Sequence, residues 1–316
     1  MFNVTPGDGL DGVNPKINNL VRPYQQAKYD ILWVMDSNIQ VAHGAMARGV
    51  DALDPPESAF LPSAPGQRRI ALIHHVPLAF ATENLLGARI EEAFLNTNHA
   101  KMYLAINTVA IDSCVVGKSN MYRRSDVDRL TGTLRPQSAA QEGPYGLAAF
   151  SKFLAEDNMI AGALWHELGL RHDLSCDVSR NAIGDMDFRG YVWRRVRWIR
   201  VRKQMVLAAT LIEPFTESIV VGVSAAWAAD SLLGIPLWLF LIIHFSLWLI
   251  VDLDIYSKLS GDSRPSSGYW PFLRAWVYRE ALALPIWLLA IFGNEVDWRG
   301  KKYRIMRSGE AIRVQR

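Results

Sequence analysis

The apolar positions of this chain fall into short runs in its first half and long runs in its second. In residues 28–42, KYDILWVMDSNIQVA, a partly β-branched run covers Ile31–Met35 and stops at Asp36. That pattern predicts a buried strand leading into an acidic turn. RIALIH (69–74) predicts a second strand, Leu85–Thr97 a helix, and Thr108–Val116 a further strand-like stretch. RRSDVDRL (123–130) predicts a helix start capped by Ser125. Helical spacing returns over Leu147–Gly169, interrupted by the acidic pair Glu156–Asp157. Two breaker-rich stretches, 51–69 and 131–146, read as surface loops. Strands alternating with helices around a strand-end aspartate predict an α/β domain that binds ligands at the carboxyl ends of its strands.

The second half changes in character after Lys203. LLGIPLWLFLIIHFSLWLIV (232–251) carries no formal charge and is long enough to span a bilayer. Leu211–Ala229 is nearly as apolar, with Glu213 and Glu217 near its start, and residues 281–293 form a third, shorter apolar segment. Basic residues precede the first of these segments, follow the second, and fill the tail. By the positive-inside tendency, the α/β domain, the loop after Val251 and the tail face the cytosol, with two spans joined by a tight luminal turn. The expected organisation is therefore a catalytic-type domain at 1–203, a membrane region at 204–293 and a basic tail at 294–316.

Composition narrows the reading. Of 316 residues, half are apolar while 21% are charged, which suits a soluble-type domain joined to a hydrophobic one. The net charge of +3 does not by itself imply a nucleic-acid partner. Cys114 and Cys176 stand far apart, with no metal-ligand spacing and no disulfide framework. The first twenty residues are polar and rich in Gly and Pro, a composition from which neither a signal peptide nor an N-terminal anchor is expected. Oligomeric state is not legible.

Four groups of residues have the chemistry for a site. Asp36 at a strand end suits a divalent metal bridging a diphosphate, or simply caps a turn. One carboxylate of Glu156–Asp157 suits proton removal from a hydroxyl, although adjacent acids are more often solvated or paired. In YVWRRVRWIRVRK (191–203), arginine forks match phosphate oxygens and a neighbouring Trp offers an apolar wall. A membrane-surface segment explains Arg200, Arg202 and Lys203 equally well, and no stacking platform for nucleic acid accompanies the basic run. His43 and His99 read as structural, and His74–His75 lack a metal-ligand pattern.

The order of these groups, with GVNPKINNL, KYDILWVMDSNI, NTNHAKMYLAINTVAIDSCVVGKSNMYRR, GLAAFSKFLAEDN and RRVRW, resembles the ceramide glucosyltransferases, inverting GT-A-type enzymes. The resemblance covers nearly the whole chain. It implies a Rossmann-like GT-A domain followed by transmembrane or interfacial helices, and transfer of glucose from UDP-glucose to ceramide at a Golgi or ER membrane. It implies that Asp36 binds metal (Mg2+ or Mn2+) and the UDP diphosphate, and that Lys16 contacts the nucleotide. It further implies that Asp157 is the base, that Arg194, Arg197 and Trp198 form the (Q/R)xxRW element, and that His99 and Cys114 lie at or near the site. Members of that family carry an N-terminal anchor and earlier nucleotide-fold strands with a uridine-binding aspartate. This chain starts at the NPKINN segment, so the expectation is an N-terminally incomplete domain. Two alternatives stand beside this reading, a processive polysaccharide synthase and a membrane-bound fragment without catalysis.

Overall fold

The computed structural model describes residues 12–55, 68–135, 145–262, 264–298 and 300–314. Helix α1 (Pro15–Gln26) leads to β1 (Ile31–Met35), β2 (Ile39–Val41), α2 (Ala45–Leu53) and β3 (Ile70–Ala81). Then come α3 (Leu86–Phe94), a π-helical turn (Leu95–His99), α4 (Ala100–Val109), β4 (Ser119–Arg123) and α5 (Arg124–Val127). A 3₁₀ turn (Gly146–Phe150), α6 (Glu156–His166), β5 (Arg171–Ile183) and α7 (Phe188–Met205) follow. The remainder is α8 (Leu207–Ile212), α9 (Ser218–Leu233), α10 (Leu237–Ser260), α11 (Tyr269–Ile291), β6 (Glu295–Trp298), β7 (Lys301–Ile305) and β8 (Ala311–Arg313).

The chain packs as two units that interleave along the sequence. Among the described residues, the first comprises those within 12–77, 103–181 and 310–313, and the second those within 78–102, 182–309 and residue 314. The first unit is mixed α/β. Its sheet runs in the order β1-β4-β3-β5-β2, and the β1–β4, β3–β4 and β2–β5 pairings are antiparallel. Ile73 and Met121 from this sheet and Leu53 from α2 are buried together, with Trp33 and Val50 packed against them. In the β1–β4 register Met35 faces Ser119, so Asp36 emerges beside the residues that open β4. Its N–H donates to the Lys118 carbonyl at 3.1 Å.

The second unit is mainly helical. Its core gathers Phe94 and Ile90 from α3, Tyr191, Val196 and Ile199 from α7, and Phe272, Trp276 and Ile286 from α11. Asp187 caps α7 by accepting from the Gly190 N–H, and Arg202 and Lys203 occupy the last turn, where cations oppose the helix dipole. Among the described residues one helix, Leu237–Ser260, is long and apolar enough to cross a membrane. Residues 207–216 and 218–233 pass the same test only as a pair bent by 57°.

Several expectations need correction. Thr108–Val116 is not a strand: α4 runs to Val109, and the strand starts later, at Ser119. The second strand, expected over 69–74, continues to Ala81 through Pro77. Ser125 caps no helix, because α5 is a four-residue turn and both the N–H and hydroxyl of Ser125 donate to Asp30. Glu156–Asp157 does not interrupt a helix but begins one, where carboxylates suit the positive end of the dipole. The segment at 281–293 is the end of a 23-residue helix that also holds buried Arg279 and Glu280. Gly234 and Pro236 shift the uncharged span to start at Leu237. Much of the two expected loops, residues 56–67 and 136–144, lies outside the described residues.

The π-helical turn is stabilised by one buried amide. Asn96 accepts from the Ala79 N–H at 2.7 Å and donates to the Ala79 carbonyl at 2.8 Å, closing both backbone groups at the end of β3. Asn96→Ala leaves two buried backbone groups unpaired, at a cost of about 3 kcal/mol. Equilibrium unfolding of the variant in detergent checks this, and a change below about 0.5 kcal/mol, the scatter of inert surface substitutions, contradicts it.

Candidate functional site

The expected site residues distribute over the two units. Asp36, Lys16 and Asp157 belong to the first; His99, Arg194, Arg197 and Trp198 belong to the second.

In the first unit the site is built around the first turn of α1. Asn14 caps that helix, its side-chain oxygen accepting from the N–H groups of Lys16 and Ile17. The Asn14 amide donates to the Phe153 carbonyl at 2.8 Å and to a Glu156 oxygen at 2.6 Å, and the Asn14 N–H donates to Ser151. The Asn-Pro-Lys sequence thus starts a helix and ties its end to the segment leading into α6. One turn position further, the Lys16 ammonium lies 3.0 Å from both Glu156 and Asp157 and 3.3 Å from Asp36. It also donates to the Gly117 carbonyl at 3.2 Å. A second ammonium, Lys118, binds the other oxygen of Asp36 at 2.9 Å.

Gly117 makes the close approach possible. A Cβ at this position would collide with the Asp157 carboxylate, so only glycine lets the backbone pass so near. Burial and the neighbouring Asp157 push the Glu156 carboxyl up to about 8, while Lys16 opposes the shift. For Lys16, burial works against the charge, but Asp157, Glu156 and Asp36 together raise it above its ordinary value. The arrangement is an acid pair at a helix N-terminus sharing one ammonium, with Glu156 keeping its proton at neutral pH.

A divalent metal at Asp36 does not fit this donor set. Both Asp36 oxygens are held by ammonium groups. No cluster of three or more His, Cys, Asp or Glu side chains among the described residues is disposed to ligate an ion. Positive charge at these carboxylates comes from Lys16 and Lys118. Lys16, expected on the nucleotide side, contacts Asp157 itself. Cys114, partly buried and in no disulfide, lies on the loop before β4.

In the second unit α7 carries the arginines. Arg194 is committed to buried Glu91 at 2.8 Å. Burial resists ionisation of Glu91, yet Arg194 and Arg195 outweigh it and hold its carboxyl below the usual range. Arg195 stacks on Phe94 at 3.6 Å. Arg202 pairs with Glu213, Arg200 donates to the Glu295 carbonyl, and Lys203 donates to the carbonyls of Ile291 and Gly293. The expected surface anchors Arg200, Arg202 and Lys203 are therefore bound within their own unit.

Arg197 differs from these neighbours. It faces the Trp198 ring at 5.7 Å, and burial, then Arg194, lower it to about 10. No carboxylate forms a salt bridge with it among the described residues. His99 packs on Phe94, and burial followed by Arg195 lowers it to about 4, so its ring is neutral at physiological pH.

Sequence reasoning missed Asn14, Gly117, Lys118 and Glu91. Asn14 before Pro15 carried a readable signal, an N-cap followed by proline at the first helical position. The part played by Gly117 and Lys118 depends on tertiary register and had no local signal.

A model of glycosyl transferase family 21 matches residues 2–312. The chain is 37% identical to a ceramide glucosyltransferase of Komagataella phaffii, over 93% of this chain and 68% of that protein. It is 32% identical to a ceramide glucosyltransferase of Candida albicans, covering 94% and 72% of the two chains. It is 34% identical to one from Pyricularia oryzae, covering 95% and 69%. By the extent of the family match and the identity to these relatives, the chain belongs to glycosyl transferase family 21.

Proposed function

We propose that this protein transfers glucose from UDP-glucose to the primary hydroxyl of ceramide, giving glucosylceramide with inversion. The observation that carries this reading is Asp157, a carboxylate at the start of α6, set over Gly117 and held by Lys16. In the proposed reaction Asp157 takes the proton of the ceramide hydroxyl. The hydroxyl oxygen attacks the anomeric carbon, and the bond to the β-phosphate oxygen breaks on the opposite face, its electron pair leaving with UDP. Lys118 and Arg197 are each cations of a kind suited to a nucleotide's negative charge, and Arg197 is supported by forming no salt bridge among the described residues, with Glu91 and Asp297 acting on it only from a distance.

The proposed organisation keeps a GT-A-type catalytic region at 1–203, a membrane region at 204–293 and a tail at 294–316. Helix α10 supports a membrane location, since only 6% of its apolar window is buried. Leaving Trp238, Ile242, Leu247 and Ile250 in water would be costly at about 25 cal/mol per Å2 of apolar surface. The proposed setting is a Golgi or ER membrane with the catalytic face toward the cytosol. The overall reaction is tested with radiolabelled UDP-glucose and ceramide. A chloroform-soluble monoglycoside is expected, and a growing polymer would instead indicate a processive synthase.

Two substitutions probe the roles. Asp157→Asn keeps the shape but cannot accept a proton. It should lower turnover by roughly 10²-fold or more, with UDP-glucose affinity measured by calorimetry largely kept. Near-normal turnover would assign the base elsewhere. Arg197→Lys should lower kcat/KM by about tenfold, because an ammonium cannot reproduce the bidentate fork. Arg202→Lys should stay within about twofold, since a lysine keeps a positive charge opposite Glu213. Equal effects at the two positions would contradict the clamp.

A further inference from the structure

The histidines set aside in the sequence form a buried chain in the first unit. The Tyr103 hydroxyl accepts from the Val116 N–H at 3.0 Å and hydrogen-bonds His74 Nδ1. His74 Nε2 faces His172 Nδ1 at 3.1 Å, and His172 Nε2 meets the Ser113 hydroxyl at 3.1 Å. His74 is fully buried and Tyr103 nearly so. Burial lowers His74 well below its ordinary range and His172 to about 4, so both rings are neutral at physiological pH. Between neutral rings each nitrogen–nitrogen contact holds one proton, and the chain must then run in one direction. A phenol is a stronger acid than a neutral imidazole N–H, so Tyr103 donates to His74, His74 to His172, and His172 to Ser113. Both rings are then Nε2–H tautomers.

The two ends of this chain, Val116 and Ser113, lie on one loop, residues 113–118. That loop carries Gly117, which accepts from Lys16 and makes room for Asp157. Its Val115 carbonyl accepts from Asn158, the residue after Asp157, at 3.4 Å. Just beyond the loop, Ser119 is gripped separately: its hydroxyl accepts from the Trp33 indole at 2.9 Å and lies 3.1 Å from His75 Nδ1. Apolar side chains of similar volume would fill the space between β3 and β5 without needing matched partners. What this chain adds is a directed set of bonds that fixes the loop on which the carboxylate rests.

We propose that Tyr103, His74 and His172 are positioning residues for the catalytic carboxylate, holding the 113–118 loop so that Gly117 sets the place of Asp157 and Lys16. The proposal rests on Asp157 being the base. It predicts that Tyr103→Phe, which keeps the ring and loses only the hydroxyl, lowers kcat at least tenfold with the donor KM changed less than twofold. Ser113→Ala, which removes only the outermost link, should lower kcat two- to fivefold. In the full chain labelled with 15N-histidine, NMR should show His74 and His172 both as neutral Nε2–H tautomers.

A folded Tyr103→Phe with a lower unfolding temperature and unchanged kcat would reduce the chain to a packing device and overturn the proposal. So would unlike or rapidly averaging tautomers at the two rings, a result that decides the matter even if Tyr103→Phe does not fold. If wild-type protein makes no glucosylceramide while the tautomers come out as expected, the fault lies with the proposed function and not with the chain.

Discussion

One ammonium organises the candidate site. Asp36 at the end of β1, Glu156 and Asp157 at the start of α6, and the Gly117 carbonyl before β4 all converge on Lys16. Near a protein surface the Coulomb attraction between an ammonium and a carboxylate is about 4 kcal/mol at 4 Å before desolvation, and the repulsion between adjacent carboxylates is of the same order. The dipole of α6 offers the carboxylates only about 0.3–1 kcal/mol. The cation therefore decides whether the acids can sit together, and the helix end refines it. Asn14 extends the same logic to the backbone, since one side chain caps α1 and reaches Glu156.

The second unit treats charge differently. Along α7 most guanidinium and ammonium groups meet a carboxylate, a carbonyl or an aromatic face in their own unit. Such pairing lets a strongly basic helix bury Tyr191, Val196 and Ile199 without stranding charge in the core. Arg197 forms no salt bridge among the described residues; Glu91 and Asp297 act on it only from a distance, and it lies beside the Trp198 indole. A sequence crowded with arginine says little about which one is free to act; the partners on α3, α11 and β6 decide it.

Legibility followed locality. The strand ending at Asp36, the acidic pair and the arginine-rich helix could be read because each announces itself within a few residues. The structure brings Asp36, Lys16 and Asp157 together as an ammonium–carboxylate cluster rather than as a metal site. Strand β5 escaped notice because RHDLSCDVSRNAI is polar and partly exposed, with little of the apolar alternation that marks a strand. The strand-like reading of Thr108–Val116 failed because β-branched residues there end a helix and enter a loop tied down by Tyr103. His74 and His75 looked like a strand end only because the run was cut short; in the structure they lie mid-strand, where register alone gives them partners.

Lys16 holds three acidic side chains in one place, and the most direct test of this is the pH dependence of stability in Lys16→Met. Unfolded Glu156 releases its proton near pH 4.5, whereas folded Glu156 keeps it to about 8. Between those values the folded state binds more protons, so this group's contribution to stability falls as pH rises. Lys16 is raised above 10.5, so its charge is constant across that window and its contribution is lost only at still higher pH. Without the ammonium Glu156 holds its proton to still higher pH, because Lys16 is what opposes the effect of burial, and the folded state is penalised further as pH rises past about 8. Unfolding free energies of wild type and Lys16→Met, measured from pH 5 to 9, should differ by an amount that widens as pH rises through about 8, toward about 3 kcal/mol or more. A difference that is constant with pH would contradict the account, because lost packing, unlike lost charge, does not titrate.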